Sequence, residues 1–270
     1  MILTGKNAVL YGVGESLGGA VARGLANAGA RVFLTARHGQ NARKVADEIR
    51  AAGGQADVAE VDALDQRAVN QHADQVVKHA GTLDISFNLI NLSETQNTPL
   101  VEMAAEDFVR PVHTAALTHF LTATAAGRIM SRQRSGVVLT LTATPGGIGY
   151  PLVGGFGPAC CLIESFSRNL AAELGAQGVR VVNIRSAGSP DSRPFREAIA
   201  QGGPEAEEFL SRLQDDTMLK ALPSMEDIAN AAVFLSSDLA SKITGVTLDI
   251  TAGTTSALNY KVPNIAFVRS

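Results

Sequence analysis

Short β-branched runs alternate with longer amphipathic runs from one end of the chain to the other, and this alternation excludes most folds. Strands are predicted at Asn7–Tyr11, Arg31–Ala36, Ala56–Val61, Asp84–Ile90, Val137–Thr142, Val179–Arg185 and Val246–Ile250. Helical stretches fall between them: one from a glycine-rich turn to about Ala28, then Asn41–Ala52, Gln66–His79, Ala104–Arg132, Phe156–Leu174 and Ile228–Ser236. Strand–helix alternation of this kind calls for a parallel sheet covered by helices. The expected fold class is α/β, a doubly wound parallel sheet with helices on both faces. Without a linker or low-complexity segment, the 270 residues read as one domain, 1–270. The polar stretch Ser189–Pro223, punctuated by Gly and Pro, is expected to form a helical lid over the carboxyl ends of the strands, where open α/β sheets bind ligands.

Charge and cysteine content narrow the class of partner. A formal net charge of -3, with scattered Lys and Arg, offers no basic footprint for nucleic acid and no polybasic membrane anchor. The densest basic run, Arg128, Arg132 and Arg134, falls at a predicted helix end, where cations suit the dipole. No stretch approaches the ~18 unbroken apolar residues of a membrane span, and even Ala115–Met130 carries His119, several Thr and Arg128. Met1–Lys6 lacks the charged-then-apolar pattern of a secretory leader. The two cysteines, Cys160 and Cys161, are adjacent and too few for a disulfide framework or a Cys-based zinc site. A cytoplasmic protein without a metal site or a nucleic-acid partner is expected.

The first strand runs into Gly12-Val13-Gly14-Glu15-Ser16-Leu17-Gly18-Gly19. Glycines in such a turn let the backbone approach a pyrophosphate, to which the following helix presents free N–H groups. A strand before it, a helix after it and a place at the start of the chain point to a Rossmann-type dinucleotide site. The turn resembles that of the short-chain dehydrogenase/reductase family, Thr-Gly-x3-Gly-x-Gly, matching at Gly12 and Gly18 and departing with Tyr11 for the Thr and Ser16 for the middle Gly. Ser16 would either crowd the pyrophosphate or offer it a hydrogen bond.

The resemblance covers nearly the whole chain. Val61-Asp62-Ala63 looks like the family's Asp-hydrophobic pair, whose Asp meets the adenine, and Asn88 keeps the first Asn of the family's Asn-Asn-Ala-Gly. Asp227-Ile228-Ala229, Phe234-Leu235-Ser236-Ser237-Asp238 and Ile243-Thr244-Gly245 are similar to its C-terminal signature at the right separations. The resemblance implies NADP or NAD as cofactor, held by Gly12, Gly14, Ser16, Leu17, Gly18, Arg37, Asp62, Ala63 and Asn88. Arg37 stands where NADP-preferring members carry a base, while Glu15 argues against a 2′-phosphate, so the preference for NADP is modest. Weak binding is expected, together with a homodimer or homotetramer packed through Ala104–Arg132 and Phe156–Leu174.

The family reduces carbonyls with an Asn, a Ser, a Tyr and a Lys. The Tyr donates the proton, the Lys four residues later lowers its pKa and holds the ribose, and the Ser orients the substrate oxygen. Aligned on Asn169-Leu170-Ala171-Ala172-Glu173-Leu174, Phe156 falls on the Tyr, Cys160 on the Lys, Ala143 on the Ser, and the Asn falls on or near Ala115. No Tyr-x3-Lys occurs at Tyr11, Tyr150 or Tyr260, so a shift of register does not restore the relay. No catalytic residue is assigned. Tyr150, Thr142 and Thr144 lie near the expected substrate position, Cys160 would need a depressed pKa to act as a nucleophile, and His113 and His119 are expected in the core or an interface. Three readings stay open: an oxidoreductase with another proton donor, a non-catalytic dinucleotide-binding sensor or scaffold, and an isomerase or lyase reusing the pocket for an unidentified small molecule.

Overall fold

A computed structural model describes residues 1–257. Seven strands form one parallel sheet in the order β3-β2-β1-β4-β5-β6-β7. They are β1 (Asn7–Tyr11), β2 (Arg31–Ala36), β3 (Gln55–Glu60), β4 (Ile85–Asn88), β5 (Gly136–Ala143), β6 (Val179–Ser186) and β7 (Thr247–Ile250). The helices are α1 (Leu17–Asn27), α2 (Gln40–Ala51), α3 (Gln66–Ala80), α4 (Ala105–Gln133), α5 (Phe156–Leu174), α6 (Arg193–Asp215), α7 (Met225–Ser236) and the short α8 (Thr254–Ala257). The doubly wound α/β architecture read from the sequence is the architecture of the chain.

Side-chain alternation divides the core into two layers. Ala8 and Leu10 of β1 pack with Val21 and Leu25 of α1, Val45 of α2 and Leu235 of α7. Val9 and Tyr11 point to the other face, where they meet Val69 and Val76 of α3, Ile129 of α4 and Leu170 of α5. Both faces of β1 and β4 are buried, so these strands have no polar alternation, as expected for the centre of a parallel sheet.

Two departures from the sequence expectation, and one break within a helix, have local causes. Strand β4 ends at Asn88, because its Oδ1 accepts the Ile90 N–H at 3.0 Å and turns the chain off the ladder. Helix α7 begins at Met225, ahead of the apolar run from Ile228, on a capping box: Ser224 Oγ accepts the Asp227 N–H, and Asp227 accepts the Ser224 N–H. Within 189–223, α6 is broken at Gly203, whose φ of 52° and ψ of -139° lie outside the helical region, just before Pro204.

Candidate functional site

The order of the sheet reverses between β1 and β4: from β1 the chain winds outward to β2 and β3, and then returns beside β1 as β4. Such a reversal splays the loops apart and opens a crevice at the carboxyl ends of the strands. A cleft occupies this position in two halves that share Gly12, Gly14, Ile90 and Asn91. The outer half, about 570 Å³, is bordered by Arg37, Asp62 and Ala63. The inner half, about 470 Å³, is bordered by Ser16, Leu17, Gly18 and Asn88. All nine residues singled out in the sequence therefore border one or other of these adjoining halves.

Each glycine of the turn meets a different constraint. Gly12 has a φ of 79°, and a Cβ there would lie 2.8 Å from Ile90. At Gly18 a Cβ would press to 3.0 Å on Val13 Cα, so the missing side chain lets α1 dock on the turn. At Gly14 a Cβ would meet nothing within 4 Å, which leaves an open cradle in front of the first N–H groups of α1. Ser16 borders the cleft without capping α1. Its Oγ accepts the Arg193 N–H at 3.1 Å and lies 3.3 Å from the sulfur of Met225, joining the turn to the starts of α6 and α7.

Two ion pairs tie the glycine turn and β3 to α2. Glu15 meets Lys44 at 2.8 Å, and this ammonium holds the Glu15 carboxyl below its ordinary pKa. Arg43 meets Glu60 at 2.9 Å. Arg37 is exposed at the rim and has no carboxylate partner among the described residues. Asp62 Oδ1 accepts the Leu64 N–H. Asn88 borders the inner half, but its amide bonds Thr122 and its Oδ1 takes the Ile90 N–H, so it shapes the wall as much as it faces the cleft.

The inner end is lined by Ala143 of β5, Phe156 and Cys160 of α5, and His119 of α4. Cys160 is fully buried, and burial, then the neighbouring Glu164 carboxylate, push its thiol up to about 12 despite the Ala143 backbone N–H. The thiol is protonated at neutral pH and is no nucleophile there. Behind it runs a network from buried Thr142 and Glu164 through half-buried Arg185 to exposed Asp249. Glu164 Oε1 accepts Thr142 Oγ1 and Arg185 Nε, each at 2.9 Å, its Oε2 accepts Arg185 Nη2 at 2.6 Å, and Arg185 Nη1 reaches Asp249 at 3.1 Å. Gly146 and Gly147 lie against this pair: a Cβ on the first would collide with Glu164 Oε1, and one on the second would sit 2.6 Å from Arg185 Nη1.

This fold is shared by known proteins. A short-chain dehydrogenase/reductase of Serratia marcescens superposes with a TM-score of 0.80 at 25% identity, covering 95% of this chain and all of that one. The sequence profile described as enoyl-(acyl carrier protein) reductase matches residues 12–255. The chain belongs to the short-chain dehydrogenase/reductase family. It is 31% identical over 268 residues to an uncharacterised oxidoreductase of Mycobacterium tuberculosis, covering 97% of each chain. It is 28% identical over 257 residues to the 7α-hydroxysteroid dehydrogenase of Escherichia coli K12, covering 95% of this chain and 97% of that one.

Within this short-chain dehydrogenase/reductase framework the candidate substitute donors fare differently. Tyr150 borders neither half of the cleft; it is half-buried, and burial and then Asp216 raise its pKa. Thr142 borders the inner half, but it gives its proton to Glu164 and takes one from Asn183 at 2.8 Å. His113 is exposed, whereas His119 lines the inner half. Sequence reasoning placed His119 only in the core or an interface. Its position one helical turn beyond Ala115 was the signal that it shares the face turned to the cleft. Tyr260 lies outside the described residues.

Proposed function

We propose that this member of the short-chain dehydrogenase/reductase family binds NADP(H) in preference to NAD(H) in the cleft at the sheet's reversal, and lacks the family's usual proton relay. The observation that carries this reading is the contrast between the two ends of the cleft. The outer end keeps an open glycine cradle at a helix N-terminus and a rim arginine without a carboxylate partner. The inner end presents Phe156, Cys160 and Ala143.

The α1 N–H groups around Gly12–Gly18 would hold the pyrophosphate, Asp62 and Ala63 the adenine, and Arg37 a 2′-phosphate. Glu15 counts little against the phosphate, because Lys44 balances its charge. The nicotinamide group supplies a hydride to or from carbon. Developing charge on a carbonyl oxygen then calls for a fixed donor, and Phe156, Ala143 and a protonated, buried thiol at Cys160 supply neither an acid of suitable pKa nor an ammonium. The loss of Lys at 160 also removes a contact to the ribose, so affinity is expected to be weak.

Titration of the purified protein with NADPH and NADH, followed by nucleotide fluorescence, tests the reading. NADPH binding more tightly than NADH, with the order reversed in Arg37→Asp, supports it. No binding of either nucleotide at millimolar concentration refutes it.

A further inference from the structure

His119 is 2% exposed, borders the inner half of the cleft, and its Nε2 has no hydrogen-bond partner among the described residues. A buried polar atom left in this state is destabilising, so such atoms in native proteins call for a partner that arrives from elsewhere. The state of the ring follows from its other nitrogen. Nδ1 lies 3.0 Å from the Ala115 carbonyl oxygen, which can only accept, so Nδ1 carries the hydrogen. Burial holds the imidazole pKa at about 4, against a smaller opposing effect of the Ala115 carbonyl, so the ring is neutral. Nε2 is then a bare, buried lone pair on a side chain that lines the cleft.

We infer that the inner end of the cleft is a donor-selective subsite, in which His119 Nε2 accepts a hydrogen bond from a ligand hydroxyl and so favours an alcohol over the corresponding ketone. The geometry around it is consistent with this selectivity. Thr142, the hydroxyl-bearing residue of β5 on the wall, has its proton committed to Glu164. Phe156, Ile163 and Leu141 give the same pocket apolar walls that would pack a hydrocarbon ring or chain. A ketone oxygen brings only lone pairs, which cannot satisfy Nε2, whereas an alcohol brings the missing proton. His119 acts here as a specificity-determining residue; no proton is transferred to it, since its depressed pKa suits an acceptor and not a base at neutral pH. The inference deepens the proposed function, and rests on it only in taking this cleft to be the ligand site.

The test uses cyclohexanol and cyclohexanone, which match in size, with nucleotide absent so that neither reacts. Binding is measured by ligand-observed NMR and by the ¹⁵N signals of the histidine ring. Cyclohexanol is expected to bind about fivefold more tightly than the ketone and to move the His119 Nε2 signal towards the protonated position. In His119→Phe the preference is expected to vanish. Equal or tighter binding of cyclohexanone by the unaltered protein, or an Nε2 signal that saturating cyclohexanol leaves unmoved, overturns the inference even if the variant does not fold. Nucleotide titration of the same sample separates the two claims. Absent nucleotide binding with the alcohol preference intact refutes the dinucleotide reading alone, and the reverse outcome refutes the subsite alone.

Discussion

Ser16 Oγ accepts the backbone N–H of Arg193 at 3.1 Å, so a residue of the glycine turn is fastened to the first residue of α6. The same oxygen leaves α1 uncapped, which makes the contact separable from the stability of α1. Replacing Ser16→Gly is expected to speed hydrogen exchange at the start of α6 roughly fivefold, as loss of one ordinary hydrogen bond would, while exchange within α1 stays near that of the parent. Uniformly faster exchange through α1 and β1 would show that Ser16 supports the turn itself.

The relay that we propose to be absent is open to restoration. Ala143→Ser, Phe156→Tyr and Cys160→Lys together are expected to yield measurable NADPH-dependent reduction of simple ketones where the parent shows none at rates typical of the family. General acid–base assistance of this kind is worth on the order of 10²–10⁴ in rate. Brisk ketone reduction by the unaltered protein would place the proton donor elsewhere.

The Glu164–Arg185 pair is nearly enclosed, with side chains 6% and 15% exposed. Arg185→Met leaves a buried carboxylate without its cation and is expected to lower stability by about 3–5 kcal/mol. Adding Glu164→Leu is expected to recover much of that loss, because the uncompensated charge is then gone. Urea unfolding of the two single variants and the double variant measures the coupling.

His72 and His119 are both buried, and burial holds each imidazole at about 4. The unfolded chain binds their protons near the ordinary histidine value, so stability is intact above about pH 6.5 and falls as the pH drops towards 4. The loss is expected to reach roughly 2–3 kcal/mol per imidazole by pH 4.5. Urea midpoints between pH 7 and pH 4.5 should fall accordingly, and His72→Phe should flatten the slope. A flat profile in the parent would mean that both rings protonate freely in the fold.

Leu117 and Phe120 of α4 lie 37% and 51% exposed beside Phe166 of α5 and leave an apolar groove open on the outer face of these helices. A second copy of the chain is expected to cover it. Light scattering should show a dimer or tetramer at micromolar concentration, and Phe120→Glu should shift it towards monomer. A monomeric parent would remove the reason for this exposed face.

The fold was legible in the sequence because parallel strands buried on both faces leave unbroken β-branched runs, and the helices between them are long and periodic. Helix α5 was read with its observed limits, Phe156–Leu174. The start of α7 was missed because Ser224 and Asp227 form it through polar side chains that carry no apolar period. Residues of the candidate cleft were legible where a local turn positions them, as at Gly12 and Gly18. Long-range partners were not: Lys44 neutralises Glu15 from α2, and Glu164, Arg185 and Asp249 meet from three separate elements. The unpartnered Nε2 of His119 depends on which atoms surround it, and helical periodicity alone specifies only the face.

Gly146 and Gly147 rest directly on Glu164 and Arg185, with no room for a Cβ on either glycine. These four positions therefore form an epistatic unit. In a mutagenesis library, enlarging either glycine is expected to be more deleterious with the ion pair present than once the opposing side chain is shortened. Change in the loop between β5 and α5 is thus expected to proceed through paired substitutions, first beneath the loop and then within it.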